Sequence, residues 1–226
     1  MLDKIKEISI NEFLNSKLYL NYLSNNNFKY DCYFDCDGVI LNTIETSFKE
    51  MGLEVSDHTK KQKNEDIITN YYKNVNWKDL IDRSGEINDS YKKILLIKNS
   101  NIFDNIAVAT HRHSYLGEGE VKKKILKENL DDITVFHIPV KLEKHYALKA
   151  NHSILVDDSL RKITEWVNYS GYGVLFSQKV DKLIYPTPTT PYFITSDLLD
   201  LIKIDYLLKI NAFPFLNNEN IKIKRK

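Results

Sequence analysis

The chain has little that would staple it, export it or hold it in a membrane. Only two of its 226 residues are cysteines, Cys32 and Cys36. They lie on one predicted strand and its end, too far apart along it to bridge. An unbridged pair fits a reducing, cytoplasmic setting. Further zinc ligands are not found beside them. Neither sign of charge dominates: 32 Lys and Arg stand against 31 Asp and Glu, a net charge of +1. That balance gives no general attraction to nucleic acid or to a membrane surface. The local exception is Lys222, Lys224, Arg225 and Lys226, read as a solvated basic tail over residues 211–226 rather than a phosphate-backbone contact. No run of about 18 apolar residues exists, so no membrane span is expected. The opening Met1-Leu2-Asp3-Lys4-Ile5-Lys6 lacks the apolar core of an export signal. No internal repeat is seen.

What is present is enough to fold. With 42% hydrophobic and 28% charged residues, the chain can bury a core as one good-sized domain or as a core with a small insert. Residues 9 to 24 carry a helical pattern, with Ser9 as N-cap and Glu12 three residues on. A buried strand runs into Phe34. Residues 43 to 101 then change character. They are polar and helix-like, with pieces at Ile44 to Met51, Asp66 to Tyr72, Trp77 to Ile81 (capped by Asn76) and Asp89 to Lys98. Further strands are predicted at Ile106 to Ala109, Ile133 to Ile138, Ser153 to Val156, Val174 to Phe176 and Tyr192 to Ile194. Helices fall between them at Glu120 to Asn129 and 160 to 169. Ser196 is placed to cap a last amphipathic helix ending near Lys209. Strands alternating with helices predict an α/β fold with a parallel sheet. The expected layout is a core of residues 1–42 and 102–210, with a helical cap at 43–101.

The chemistry concentrates at residues 31 to 42. The apolar run Tyr30, Cys32, Tyr33, Phe34 leads into Asp35-Cys36-Asp37-Gly38. That is the length of a strand buried on both faces, and Gly38 permits a sharp turn. Carboxylates at i and i+2 on a strand point the same way. Like charges so close need a shared counter-ion, and a hard cation held by oxygen, Mg2+, fits. Polar clusters also follow two other strands: Thr110-His111-Arg112-His113 and Asp157-Asp158-Ser159. In open parallel sheets, sites form where the strands end.

Taken in order, Asp35-Cys36-Asp37-Gly38-Val39, Thr110, a lysine and Asp157-Asp158 resemble the motifs of the haloacid dehalogenase (HAD) superfamily. The likeness spans roughly residues 30 to 178. It implies a Rossmann-like HAD fold and phosphoryl transfer. In that scheme Asp35 is the nucleophile and Asp37 the general acid and base. Asp35, Asp157 and the Asp37 backbone carbonyl hold Mg2+, with Asp158 completing the shell. Thr110 binds a phosphoryl oxygen, and the lysine steadies both nucleophile and transferred group. Lys144 is the choice for that lysine, with Lys141 and Lys149 as competitors. The acid at the second position favours phosphate over carbon as the centre attacked. Gly38, His111 and Arg112 are further substrate-binding candidates, Arg112 through a bidentate contact. Tyr71, Tyr72 and Trp77 are candidates for packing in the cap, or for stacking on a base or sugar.

Within the superfamily, the run Ile154 to Trp166 followed by Gly171-Tyr172-Gly173-Val174-Leu175-Phe176 is similar to the 5′(3′)-deoxyribonucleotidases. Thr110-His111-Arg112 departs from their proline-containing second motif. The resulting expectation is a Mg2+-dependent phosphomonoester hydrolase acting on a small phosphorylated substrate, a nucleoside monophosphate. The alternatives are nucleic-acid ends, sugar phosphates, or a binding or regulatory module that keeps the fold without turnover.

Overall fold

The computed structural model describes residues 5, 7–25, 29–54, 61–113 and 117–217. Its centre is a six-stranded sheet: β1 (Asp31–Phe34), β2 (Ile106–Arg112), β3 (Thr134–Pro139), β4 (Ser153–Asp157), β5 (Tyr172–Phe176) and β6 (Phe193–Thr195). The order is β3-β2-β1-β4-β5-β6, and every neighbouring pair is parallel. This is the Rossmann-like α/β architecture expected from the sequence. Helices are α1 (Ile10–Leu14), α2 (Lys17–Asn25), α3 (Thr43–Glu50), α4 (Lys61–Asn74), α5 (Trp77–Ser84), α6 (Ser90–Asn99), α7 (Glu118–Asn129), α8 (Lys144–Ala147), α9 (Leu160–Asn168) and α10 (Asp200–Lys209). No described helix is long and apolar enough to cross a membrane.

Strand alternation sorts the core into two layers. Cys32, Phe34, Val108, Ile154, Val156 and Val174 face the larger one, with Leu126 of α7, Ile94 of α6 and much of α10. Tyr33, Ala107, Ala109 and Leu155 face the smaller one, with Ile163 and Trp166 of α9. Parallel strands covered on both sides must be apolar throughout, which is why β1 and β4 read as continuous hydrophobic runs.

Five expectations change. The first predicted helix is two helices. Ser9 and Glu12 form the reciprocal capping box that starts α1. Ser16 then accepts from the Tyr19 amide at 3.2 Å and donates to the Phe13 carbonyl at 2.7 Å, so a new start is built where one helix was expected. β2 runs past Ala109 to Arg112, because β3 pairs it there: Thr110 opposite His137, His111 opposite Ile138, Arg112 opposite Pro139. The last helix begins at Asp200 rather than beside Ser196, since the Asp197 carboxylate accepts from the Leu199 amide at 3.0 Å and organises a turn first. Nor is it amphipathic. Leu201 through Leu208 are all buried, a helix enclosed on every side. The chain also stays packed further than the tail boundary at 211: Phe213 is buried against Phe193 and Tyr185. Lys222, Lys224, Arg225 and Lys226 lie outside the described residues.

Helices α3 to α6 fill the stretch between β1 and β2. The loop after β1 turns back on itself, with the Ile40 and Leu41 amides donating to the Cys36 carbonyl at 2.9 Å. The insert is then tied to that loop at its far end. The Asn42 amide donates to the Gly85 carbonyl, and the Ile87 amide to the Ile40 carbonyl at 2.8 Å.

Candidate active site

Asp35 follows the last residue of β1 and is almost wholly buried. Its side chain stays on the face of Tyr33, towards α8 and α9. Every oxygen is engaged. Oδ1 accepts from the Cys36 amide at 2.9 Å and lies 3.0 Å from Lys144 Nζ. Oδ2 lies 2.9 Å from Lys162 Nζ. Burial alone would raise this carboxyl, but the ammonium groups of Lys144 and Lys162 outweigh it and hold Asp35 well below the usual carboxylate range. Lys144 also donates to Asp157 Oδ2 at 2.6 Å, and Lys162 lies 3.5 Å from the same oxygen. Asp157 Oδ1 accepts from the Ser159 amide at 2.9 Å, which fixes the start of α9 to the end of β4. Among the three candidate lysines, Lys144 is buried at Asp35, while Lys141 and Lys149 are exposed.

Asp37 is turned elsewhere. The expectation that Asp35 and Asp37 point the same way fails because the chain leaves extended geometry at Cys36. Asp37 Oδ2 meets Lys122 of α7 at 2.6 Å, and Oδ1 accepts from Thr43 at 2.5 Å. Lys122 is itself buried, shared with Glu118 at 2.9 Å and set 5.0 Å over the Trp77 ring. Burial would lower this lysine, but Asp37 and Glu118 raise it above its ordinary value. Trp77 stacks on Tyr72, whose hydroxyl meets Ser47 at 2.7 Å. Tyr71 bonds Glu50. These three aromatics are therefore engaged in packing within the insert and over Lys122.

Thr110 is buried near the end of β2, on the sheet face of Cys36. His111 alternates to the Asp35 face. Its Nε2 lies 3.1 Å from the Leu142 carbonyl, and burial with the nearby Lys162 and Lys144 pushes its pKa down. Arg112 returns to the Thr110 face and packs on Gly119, where an added Cβ would stand 3.0 Å from its Nε. It lines a surface hollow with His113, His137 and Pro139, so the structure does not bring it into the Asp35 cluster.

The side-chain grouping that could hold a metal, among the described residues, is Asp35, Asp157 and Asp158, with one ligand oxygen from each within 4.8 Å of the others. The Asp37 carboxylate is not in it. Asp158 is pushed up to about 8 by burial and by Asp157 and Asp35 beside it, the mark of carboxylates crowded beyond what their own surroundings neutralise. Gly38 makes the crowding possible. Its φ is +84°, and a Cβ there would sit 2.3 Å from Asp158 Oδ2. Three hard oxygens in this arrangement fit Mg2+.

Sequence reasoning missed Lys162, Lys122 and Glu118. Lys162 carried one signal: it stands one helical turn after Asp158, on the helix that opens beneath the site. Lys122 carried none, since it sits in the run Lys122-Lys123-Lys124 where only tertiary packing buries one of the three.

No protein-family model matches the chain, and no curated protein matches it. Solved structures do. A dehalogenase aligns with a TM-score of 0.53 at 12% identity, over 79% of this chain and 98% of its own. A HAD-hydrolase from Bacillus subtilis bound to magnesium gives 0.49 at 15%, over 79% and 100%. A haloacid dehalogenase-like family hydrolase from Xanthomonas campestris gives 0.48 at 15%, over 81% and 97%. At such identities the likeness is one of fold alone, and the dehalogenase carries it.

Proposed function

We propose that this protein is a Mg2+-dependent phosphomonoester hydrolase that works through a phosphorylated Asp35, with a nucleoside monophosphate as substrate. The observation that carries the reading is the convergence on Asp35, at the carboxyl end of the sheet, of two ammonium groups and two further carboxylates. A carboxylate held ionised by lysines is a nucleophile at neutral pH, and the surrounding positive charge favours a phosphoryl group.

Asp35, Asp157 and Asp158 are the side chains that would hold Mg2+, with the Asp37 backbone carbonyl. Once bound, the ion supplies charge neutralisation at the transferred phosphoryl group. The chain's own groups do the rest. An Asp35 oxygen forms a bond to phosphorus as the ester oxygen departs, and Asp37 gives that oxygen its proton. Asp37 then takes a proton from the water that attacks the phosphoaspartate, and inorganic phosphate leaves with Asp35 regenerated. Lys144 steadies Asp35 and the transferred group, and Thr110 donates to a phosphoryl oxygen. The insert, standing over Lys122 and Asp37 through Trp77 and Tyr72, acts as the cap over the site and sets which leaving group fits. The similarity of residues 154–176 to deoxyribonucleotidases supports the nucleotide.

The test is phosphate release, with Mg2+, from deoxy- and ribonucleoside 5′- and 3′-monophosphates, sugar phosphates, 3′-phosphorylated oligonucleotides and a small aryl phosphate. Release is expected to be strongest on nucleoside monophosphates and to fall about 10⁴-fold or more in Asp35→Asn. Absence of release from every substrate, the aryl phosphate included, overturns the hydrolase. Preference for sugar phosphates or oligonucleotide ends overturns the nucleotide alone.

A further inference from the structure

Asp35 accepts from three donors, two of them ammonium groups. Oδ1 is taken by the Cys36 amide and Lys144, and Oδ2 by Lys162. A carboxylate oxygen accepts in two directions, so Oδ1 is filled, while the ammonium on Oδ2 leaves one direction open but repels any cation that approaches it. Lys144 is the fixed one. Its side chain is 2% exposed, and it bridges Asp35 at 3.0 Å and Asp157 at 2.6 Å. Lys162 is the looser one. Its side chain is 18% exposed, and it is well paired only to Asp35 Oδ2, with Asp157 at 3.5 Å. It sits in the first turn of α9 on a flexible four-carbon stem, so its ammonium can swing out without moving the helix.

From this we infer that Lys162 is a displaceable counter-cation: it pairs with Asp35 Oδ2 and gives that place up to Mg2+. The inference rests on the proposed metal site. Charge explains why such a device is built in. Asp35 and Asp157, both buried, and the partly exposed Asp158 bring three potential negative charges together in one corner, and Lys144 alone answers one. A second ammonium lets the corner fold before metal arrives, and it leaves a positive charge at the rim for the incoming phosphate. Its cost is competition, because Mg2+ approaching the same carboxylate is repelled until the ammonium moves off.

The experiment is Mg2+ titration of the metal-free full chain by calorimetry, wild type beside Lys162→Met, which removes the charge and keeps the stem. Removing a like charge a few ångströms from a divalent ion is expected to tighten Mg2+ binding about tenfold or more. Equal or weaker binding in K162M overturns the inference, whether or not wild type binds well. A second measurement needs no variant. Amine labelling of wild type, followed residue by residue by mass spectrometry, should modify Lys162 faster once Mg2+ is added while Lys144 stays protected. Unchanged or slower labelling of Lys162 overturns the inference too. Phosphate release decides the hydrolase separately, so failure here is distinguishable from failure there.

Discussion

The lysine–carboxylate cluster around Asp35 and the one around Asp205 are both buried, and they are built differently. At the sheet end, Asp35 meets two lysines, and its carboxyl is held far below the ordinary range despite burial. Inside α10, Asp205 is equally buried and meets one lysine, Lys209 at 3.1 Å, together with the Tyr22 hydroxyl at 2.6 Å. Its Oδ1 has no hydrogen-bond partner. There burial wins over Lys209 and Tyr22, and the carboxyl is pushed up to about 6. One ammonium does not offset the desolvation of a buried carboxylate, whereas two do. The first cluster keeps its carboxylate ionised; the second ties the N-terminal helices to α10 and tolerates its charge poorly.

The clusters therefore differ in sign with pH. Asp35, lowered in the folded state, stabilises the fold above about pH 4, and that contribution is lost as pH falls. Asp205, raised, favours the fold while protonated and costs stability as pH rises from about 4 through about 6.

The sharpest division comes from the lysines. Lys144→Met should lower phosphate release by about 10²–10³-fold, while Lys209→Met leaves kcat/KM within about twofold. Equal losses would erase the distinction. Next in size is Gly38→Ala, expected to cost about 2 kcal/mol in urea unfolding. Gly52→Ala is the reference, with φ of +68° and nothing within 4 Å. The excess at Gly38 reads the crowding by Asp158, and identical costs would mean that Asp158 moves aside freely. The smallest effect is Asp205→Asn. Above pH 7 it should gain about 1 kcal/mol over wild type in urea unfolding, a gain that vanishes near pH 4. A variant less stable than wild type at pH 8 would show that Lys209 needs the charge, and the clusters would then be alike.

Much of this was legible in the chain. Hydrophobic runs bounded by polar turns are local signals, and they placed the strands and the carboxylates that follow them. Asp35, Asp157 and Asp158 meet because each ends one of two adjacent parallel strands, β1 and β4. Lys144 could be named from its family-like distance before Asp157, but that it is buried beside Asp35 while Lys141 and Lys149 are exposed was visible only in the structure. The divergence of Asp37 from Asp35 was not legible, since it depends on where the chain leaves the strand.

The sequence by itself determined the alternation of strand and helix, the apolar faces and the acidic strand ends, because periodicity and turn chemistry act between near neighbours. Tertiary structure alone decided which lysines count. Lys122 lies 85 residues from Asp37 and Lys162 lies 127 from Asp35. A lysine on a helix is a surface charge until packing removes the water around it and sets a carboxylate against it. Burial and counter-charge at such separations are properties of the assembled sheet and its helices, and no local pattern encodes them.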